Sequence, residues 1–167
     1  MPTKQRRYLL RTKEAKQIIE NAIKTLKIDF EVAFDPKTTM EIVESDVGEI
    51  YLISGKPTLF KAAEKVMPTL LFSEFSLKAP KIVVDMGAIP YVCKGATVMA
   101  PGIVRIEGNF KKEDITVIVD MKHGKTLAIG EALMDSETAR QTKKGPIAKN
   151  LHYVGDKVWD YIKTLSE

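Results

Sequence analysis

The sequence predicts an α+β fold, with an N-terminal mixed α/β domain followed by a small curved sheet or barrel. Two observations carry this prediction. An amphipathic helical pattern near the N-terminus is followed by short alternating apolar runs. The C-terminal half contains further β-type runs, separated by glycines, alanines and prolines that suit tight bends and close backbone approach. Strands separated in this way indicate a barrel rather than a helical bundle.

The composition is ordinary for a globular protein. Of the 167 residues, 44% are hydrophobic and 29% are charged, and the net charge is +4. This mild positive charge permits RNA binding without requiring it. No apolar run approaches the roughly 20 residues of a membrane-spanning helix. The basic N-terminal segment lacks the apolar core of a signal peptide, so we expect a cytoplasmic protein.

Cysteine and histidine are scarce. Cys93 is the single cysteine, which excludes an internal disulfide, and the two histidines lie far apart in the sequence. This pattern argues against a structural zinc site, and we expect neither a metal nor another cofactor. We expect Cys93 to be a packing residue within a helix; the alternative is a nucleophile.

The N-terminal elements follow from periodicity. Residues 12–27 predict an amphipathic helix, because apolar side chains recur at spacings of three and four. Its basic face is either a solvated surface or a phosphate-contacting one. Three runs then alternate as strands do: Phe30–Phe34, Thr39–Val43 and Glu49–Ile53.

The next segment contains a turn sequence and a proline that interrupts a helical pattern. The sequence Ser54-Gly55-Lys56-Pro57 predicts a hairpin turn. Residues 61–72 predict a helix that Pro68 interrupts. Leu77–Pro80 predicts a short domain boundary, which gives domains at residues 1–78 and 79–167. Because this connection is short, we expect the two domains to pack against each other.

The C-terminal domain is predicted as strands with two short helices. The predicted helices cover Gly87–Lys94 and a segment that Ser136 caps. The strand region Thr97–Ile106 contains a bend at Ala100-Pro101-Gly102. The remaining predicted strands are Ile82–Val84, Ile115–Val119, Leu127–Leu133, Ile147–Ala148 and Leu151–Val154.

The order of small residues in this half resembles the PUA domain, an RNA-binding pseudo-barrel found in pseudouridine synthases and archaeosine transglycosylases. The matching residues are Asp85 at a strand end, Gly87-Ala88, Lys94-Gly95-Ala96, Met99–Ile103, Ile129–Ala132, Ser136, Lys144-Gly145 and His152–Asp156. The layout of the whole chain resembles the malignant T-cell-amplified-sequence family and its archaeal relatives.

This resemblance implies a C-terminal PUA-like pseudo-β-barrel and a role in translation. The family works with small ribosomal subunits and tRNA during initiation and recycling. Its eukaryotic members pair with density-regulated protein, so a translation-factor partner protein is also expected here. Some eukaryotic members use a metal near a partner interface, but this sequence lacks the cysteines for such a site.

In the PUA family, RNA runs along the surface formed by the first helix, the following strand and the last strand. The resemblance therefore implies RNA contacts by Lys94, Gly95, Ala96, Thr97, Met99, Ala100, Pro101, Gly102, Arg105, Lys149, His152 and Tyr153. Charge and expected position add Lys143 and Lys144 to this surface.

The residue types fit the chemistry of RNA binding. Glycine and alanine let the backbone approach phosphate or ribose, cations neutralise phosphates, and Met99, His152 and Tyr153 can receive a base. Each residue also has a simpler explanation. The glycines and prolines suit ordinary turns, the two adjacent lysines follow a helix end where the dipole favours cations, and His152 suits a core position.

Three functions are compatible with these patterns. We predict a non-catalytic RNA-binding protein associated with translation, which binds tRNA or small-subunit rRNA, because no catalytic or metal-binding motif is present. The first alternative is a subunit that positions substrate for a separate RNA-modification enzyme. The second is an enzyme whose active site uses N-terminal carboxylates, although strand alternation explains these more simply: Glu41, Glu44, Asp46 and Glu49.

Overall fold

The computed structural model describes residues 5–27 and 39–166. The N-terminal elements are β1 (Arg6–Leu9), α1 (Thr12–Leu26), β2 (Met40–Ser45), β3 (Gly48–Ile53), β4 (Lys56–Ala62), β5 (Lys65–Pro68) and α2 (Ser73–Lys78). The C-terminal elements are β6 (Lys81–Val84), α3 (Ile89–Val92), β7 (Val98–Met99), β8 (Ile103–Glu107), β9 (Ile115–Asp120), β10 (Thr126–Ala132), α4 (Ser136–Gln141), β11 (Pro146–Tyr153) and α5 (Lys157–Leu165). Two 3-10 turns cover Met86–Ala88 and Ala100–Gly102. In the described ranges, no helix combines the length and the apolar character needed to cross a membrane.

The N-terminal half is an antiparallel sheet in chain order, β1-β2-β3-β4-β5, with α1 packed on it. The predicted amphipathic helix is confirmed, since its buried residues recur at spacings of three and four: Ala15, Ile19, Ala22 and Leu26. The predicted hairpin turn between β3 and β4 is also confirmed. Ser54 and Gly55 have φ values of 51° and 82°, as tight hairpins require.

The predicted helix over residues 61–72 is wrong. β4 continues to Ala62, and the chain turns back into β5, with Ala63 at a φ of 56°. Cross-strand pairing of Leu59 with Pro68 and of Phe60 with Met67 buries these side chains, and this packing outweighs the local helix propensity. Pro68 is the last strand residue, where a missing N–H is tolerated. The predicted strand Phe30–Phe34 lies outside the described residues.

The C-terminal sheet curls into a partial barrel. Its strand order is β7-β11-β10-β9-β6-β8, with β6 and β9 parallel and the other neighbouring pairs antiparallel. β7 and β8 are therefore opposite edges of the sheet, yet the three residues Ala100–Gly102 separate them in the chain. Because three residues span at most about 11 Å, the two edges must come together. The resulting interior is apolar and includes Ile82, Val84, Ile118, Ala128, Ala132, Ile147 and Ala148.

The other face of this sheet shares one apolar core with the N-terminal half. Val83, Val117 and Ile129 belong to the same buried cluster as Leu59 and Phe75. Two salt bridges also cross between the halves: Lys27–Asp114 at 2.6 Å and Lys65–Glu131 at 3.7 Å. The packing expected from the short connection is thus confirmed, whereas the exact domain boundary stays a prediction.

Several C-terminal elements differ in extent from those predicted. The predicted helix over Gly87–Lys94 is a 3-10 turn followed by the four residues of α3. The cap of α4 is Asp135, which accepts the N–H of Thr138, while Ser136 is buried and accepts the N–H of Phe110. α5 was not predicted, and neither were β1 and α2. The N-cap of α5 is Asp156, which accepts the N–H of Trp159 at 2.7 Å.

Truncation of a buried α5 side chain tests the shared core. Ile162 is fully buried in the cluster that includes residues from both halves. We expect Ile162→Ala to lower the free energy of unfolding by about 2–5 kcal/mol, through lost burial and the cavity left behind. Denaturant unfolding should show one cooperative transition, shifted as a whole.

Leu77→Ala is the matched control, because Leu77 is 78% exposed and its truncation should change stability by less than about 0.5 kcal/mol. Two separate transitions in Ile162→Ala, with only one of them shifted, would contradict a core common to both halves.

Candidate RNA-binding surface

A cavity of about 380 Å³ lies where the two edges of the C-terminal sheet meet. Residues before α3, within α3 and around the Ala100–Gly102 turn line it, including Asp85, Tyr91, Thr97, Met99, Pro101 and Gly102. Tyr91 is 68% exposed and Met99 is 46% exposed. The cavity therefore presents an accessible aromatic ring and a polarizable thioether beside closely packed backbone.

Backbone contacts fix the walls of this cavity. The Asp85 carboxylate accepts the N–H of Ala88 at 2.9 Å, and the Asp85 N–H donates to the Gly102 carbonyl at 2.9 Å. A Cβ atom at Gly102 would lie 3.2 Å from the Cβ of Ala88, tighter than ordinary van der Waals contact. Glycine at this position thus lets the two turns pack closely together.

The segment after α3 is held against β11. Asn150 donates its side-chain amide to the carbonyls of Val92 at 2.9 Å and Ala96 at 3.2 Å. Gly95 has a φ of 91°, and a Cβ atom there would lie 2.9 Å from the Tyr153 ring. The half-buried Tyr153 therefore covers Gly95, and Lys94 and Ala96 remain exposed beside it.

Lys143 and Lys144, the two lysines added from charge, precede β11, whose first residue pairs with the cavity residue Met99. Lys143 and Lys144 are exposed and lead into Gly145, whose carbonyl accepts the N–H of Ala100 at 2.9 Å. Ala100 itself is buried, so its contribution is to the backbone of the turn. Lys94, at the end of α3, is a further exposed cation next to the Gly95 segment.

Two predicted cations lie elsewhere. Arg105 is on the edge strand β8 and does not line this cavity; its Nε donates to Glu107 at 3.1 Å. Lys149 is paired directly with Glu131 across β10 and β11. Directly opposed residues share a face of a sheet, and Glu131 bonds Lys65 of the N-terminal half. Lys149 therefore lies on the face toward that half, away from the barrel interior.

His152 cannot receive a base from the surface, because its side chain is fully buried. Its Nε2 accepts the N–H of Leu70 at 3.2 Å, and its Nδ1 lies 2.7 Å from the Asp156 carboxylate. An accepting Nε2 places the proton on Nδ1, which donates to Asp156. The Phe60 ring packs against it edge-on at 5.1 Å. The predicted surface role is thus wrong, and His152 joins the two halves in the core.

Four residues that line the cavity were not among the predicted contacts: Asp85, Gly87, Ala88 and Tyr91. In the single turn of α3 only Val92 is fully buried, and the Tyr91 ring is exposed. Cys93 is half-buried, and burial raises the pKa of its thiol, which disfavours the reactive thiolate.

The N-terminal carboxylates make surface contacts. Glu41 bonds Arg7 at 2.7 Å, and this hydrogen bond lowers the pKa of Glu41. Glu44 accepts the Tyr8 hydroxyl and Glu49 accepts the Tyr51 hydroxyl, while Asp46 is exposed in the turn between β2 and β3. Across residues 5–27 and 39–166, no group of three His, Cys, Asp or Glu residues could hold a metal ion.

Family models match both halves of the chain. The PUA domain matches residues 80–154, and a domain of unknown function, DUF1947, matches residues 6–73. The cavity described above lies entirely within the PUA match.

Two relatives extend the similarity over most of the chain. An uncharacterized protein of Methanocaldococcus jannaschii is 41% identical over 160 residues, which cover 93% of this chain and 96% of the relative. Translation machinery-associated protein 20 of Eremothecium gossypii is 31% identical over 133 residues, covering 75% of this chain and 74% of the relative. The chain belongs to the family of translation machinery-associated protein 20.

The predicted fold and resemblance are also confirmed. The crystal structure of a PUA domain from Aeropyrum pernix K1 matches with a TM-score of 0.84 at 25% identity, covering 99% of this chain and 95% of that one. Malignant T-cell-amplified sequence 1 of Rattus norvegicus is 31% identical over 121 residues, which cover 70% of this chain and 66% of the relative. A PUA domain and relatives named for the translation machinery indicate RNA binding related to translation.

The buried His152–Asp156 contact predicts an acid-sensitive stability. Burial alone raises the pKa of Asp156, but the bond from His152 and the N–H groups of Trp159 and Tyr153 outweigh it, so the pKa lies below its ordinary value. A carboxyl with a depressed folded-state pKa stabilises the fold above its unfolded pKa, and this contribution is lost as pH falls through the folded pKa.

We therefore expect Asp156→Asn to be less stable than the wild type near neutral pH and to lose less stability between about pH 5 and pH 2. Denaturant unfolding across this pH range measures the difference. Parallel pH dependences of the two proteins would show that Asp156 contributes nothing to acid sensitivity.

Proposed function

We propose that this chain is a non-catalytic RNA-binding protein of translation, which binds tRNA or small-subunit rRNA through the cavity of its PUA domain. The observation that carries the proposal is the accessible Tyr91 ring, 68% exposed at the rim of a cavity whose other walls are largely apolar side chains and backbone. Single-stranded RNA is recognised where unstacked bases meet aromatic side chains.

The cavity offers more than one kind of contact to a nucleotide. Tyr91 and the exposed Met99 provide surfaces for a base, and Thr97 and Asp85 add polar groups. The small residues Ala88, Pro101 and Gly102 let the RNA backbone come close. The volume of about 380 Å³ is within the range of small-ligand sites and accommodates part of a strand rather than a duplex.

Exposed cations border the cavity where phosphates would pass. Lys94 follows α3, and Lys143 and Lys144 precede Gly145, which bonds the Ala100–Gly102 turn. Such contacts release counterions, so affinity for RNA should fall steeply with salt. Phosphate contacts position the RNA strand without reading its sequence, whereas a base held at Tyr91 provides selectivity among nucleotides.

The remaining parts of the proposal concern cellular context. We place the protein in the cytoplasm, at the small ribosomal subunit, with a translation-factor protein as a further partner. The sheet of the N-terminal half, on the other side of the shared core, is the surface left for such a partner. Catalysis has no part in this function: the N-terminal carboxylates form surface ion pairs and hydrogen bonds, and Cys93 is half-buried.

Crosslinking in cells, followed by sequencing of the bound RNA, tests the proposal and its main alternative. Enrichment of tRNA ends or small-subunit rRNA is the expected result. Enrichment of sites of base modification, together with stable co-purification of a modifying enzyme, would favour a substrate-positioning subunit. An absence of bound RNA above background would overturn both functions.

Removal of the exposed ring gives a sharper test in vitro. We expect Tyr91→Ala to weaken binding of unfractionated tRNA by about 1–3 kcal/mol, the usual value of one base–aromatic stack. Fluorescence anisotropy at a fixed salt concentration measures the change, and thermal unfolding verifies the fold.

Tyr8→Ala is the matched control, because Tyr8 is also exposed but lies on β1 in the other half. Its affinity for tRNA should equal that of the wild type. Equal losses in the two variants, or no loss in Tyr91→Ala, would remove Tyr91 from the RNA site.

A further inference from the structure

The turn between β9 and β10, residues 121–125, carries three basic residues within four positions. Lys122, His123 and Lys125 are all exposed. Among the ion pairs between described residues, none uses these three side chains. The turn is therefore a concentrated positive feature whose charges remain available to a ligand.

A single buried carboxylate fixes the shape of this turn. Asp120 is 3% exposed, and its side chain accepts the backbone N–H groups of Lys122 at 2.9 Å, His123 at 2.5 Å and Lys125 at 2.9 Å. Gly124 completes the turn with a φ of 66°. Because three hydrogen bonds hold the backbone, the basic side chains project from it in defined directions. The turn therefore loses little backbone entropy when it binds a ligand.

The turn adjoins the cavity on the side of Val84 and Asp85. The Met121 N–H donates to the carbonyl of Val84 at 3.0 Å, and Val84 and Asp85 line the cavity. β10 begins just after the turn and ends just before α4, after which the chain reaches the two lysines. The far end of β10 pairs with the start of β11, which follows Lys143 and Lys144, so the turn and these lysines lie toward opposite ends of a strand about 23 Å long.

Exposed apolar side chains accompany the charges. Met121 is 45% exposed, and Met86, which follows Asp85 in the chain, is 41% exposed. Flexible thioethers pack against irregular surfaces such as sugars and base faces. Cations with adjacent apolar surface, continuous with the wall of the cavity, fit a nucleic-acid strand better than an isolated acidic side chain.

We propose that this turn is a second phosphate-binding element, which holds the RNA backbone on the Asp85 side of the cavity. The inference rests on the proposed function and adds the direction in which the RNA strand crosses the protein surface. RNA enters past Lys143 and Lys144, places a base at Tyr91, and continues across the turn, where Lys122 and Lys125 bind its phosphates. Neither cluster alone defines this path, and both are needed for full affinity.

Charge reversal at the turn tests the proposal with a matched control. The test variant is Lys122→Glu with Lys125→Glu. The control is Lys111→Glu with Lys112→Glu, because these lysines are also exposed and adjoin the same strand, β9, but precede its opposite end. Both variants change the net charge equally, so a general charge effect would weaken binding in both.

The probe is unfractionated tRNA, titrated at several salt concentrations. We expect the test variant to lose at least tenfold in affinity and its log–log salt slope to fall by about 2, one for each lost phosphate contact. The control should lose less than threefold and keep the wild-type slope. Lys122→Gln with Lys125→Gln loses the same two contacts without added repulsion, so its slope should fall by a similar amount and its affinity by less. Thermal unfolding verifies each fold.

The outcomes separate this inference from the proposed function. Equal losses in the two charge-reversal variants would show a general charge effect and overturn the turn's role. If Tyr91→Ala weakens binding but the turn variant shows no loss beyond that of its control, the inference is overturned and the proposed function stands. A wild type that does not bind tRNA or small-subunit rRNA would overturn both.

Discussion

A turn of three residues, Ala100–Gly102, joins the two edge strands of the C-terminal sheet, and this closure determines where the binding surface lies. β7 and β8 stand at opposite ends of the strand order, so the sheet must curl until its edges meet at that turn. The curled sheet encloses an apolar interior, and the seam leaves a cavity that the preceding 3-10 turn and α3 cover only in part. Proline fixes the backbone at the bend, and glycine admits the neighbouring turn at a distance that a side chain would obstruct.

The N-terminal half supports this surface from behind. Successive residues of a strand point to opposite faces, so β11 directs His152 into the shared core and Tyr153 toward Gly95. His152 is held by the Leu70 N–H on one side and by Asp156 on the other, and Phe60 packs against its ring. The strand that carries Tyr153 is thereby fixed to the N-terminal sheet. The N-terminal half therefore packs directly behind the strand that carries Tyr153.

Local sequence patterns predicted the elements whose structure depends on residues close together in the chain. The helix over residues 12–27 and the turn at Ser54-Gly55 follow from periodicity and from backbone conformations that few residues adopt. The helix predicted over residues 61–72 was wrong because pairing with β4 determines the structure there, and pairing between strands leaves little trace in local propensity.

His152 illustrates a second limit of prediction from local sequence. Its position in the last strand was predicted, but the face it occupies depends on a register shift opposite Ile129 and Gly130, which reverses the expected alternation. Tyr91 was overlooked for a related reason, since exposure within a single helical turn depends on what packs around it.

Chemical-shift mapping by NMR would locate the RNA-binding surface without assuming which residues form it. The labelled protein would be titrated with tRNA, and backbone amide shifts followed through the described ranges. We expect the largest perturbations around the seam, at Tyr91, Met99–Gly102 and the residues beside Tyr153, while β1–β3 stay unchanged. Perturbations concentrated on the N-terminal sheet, with an unperturbed seam, would contradict this location of the binding surface.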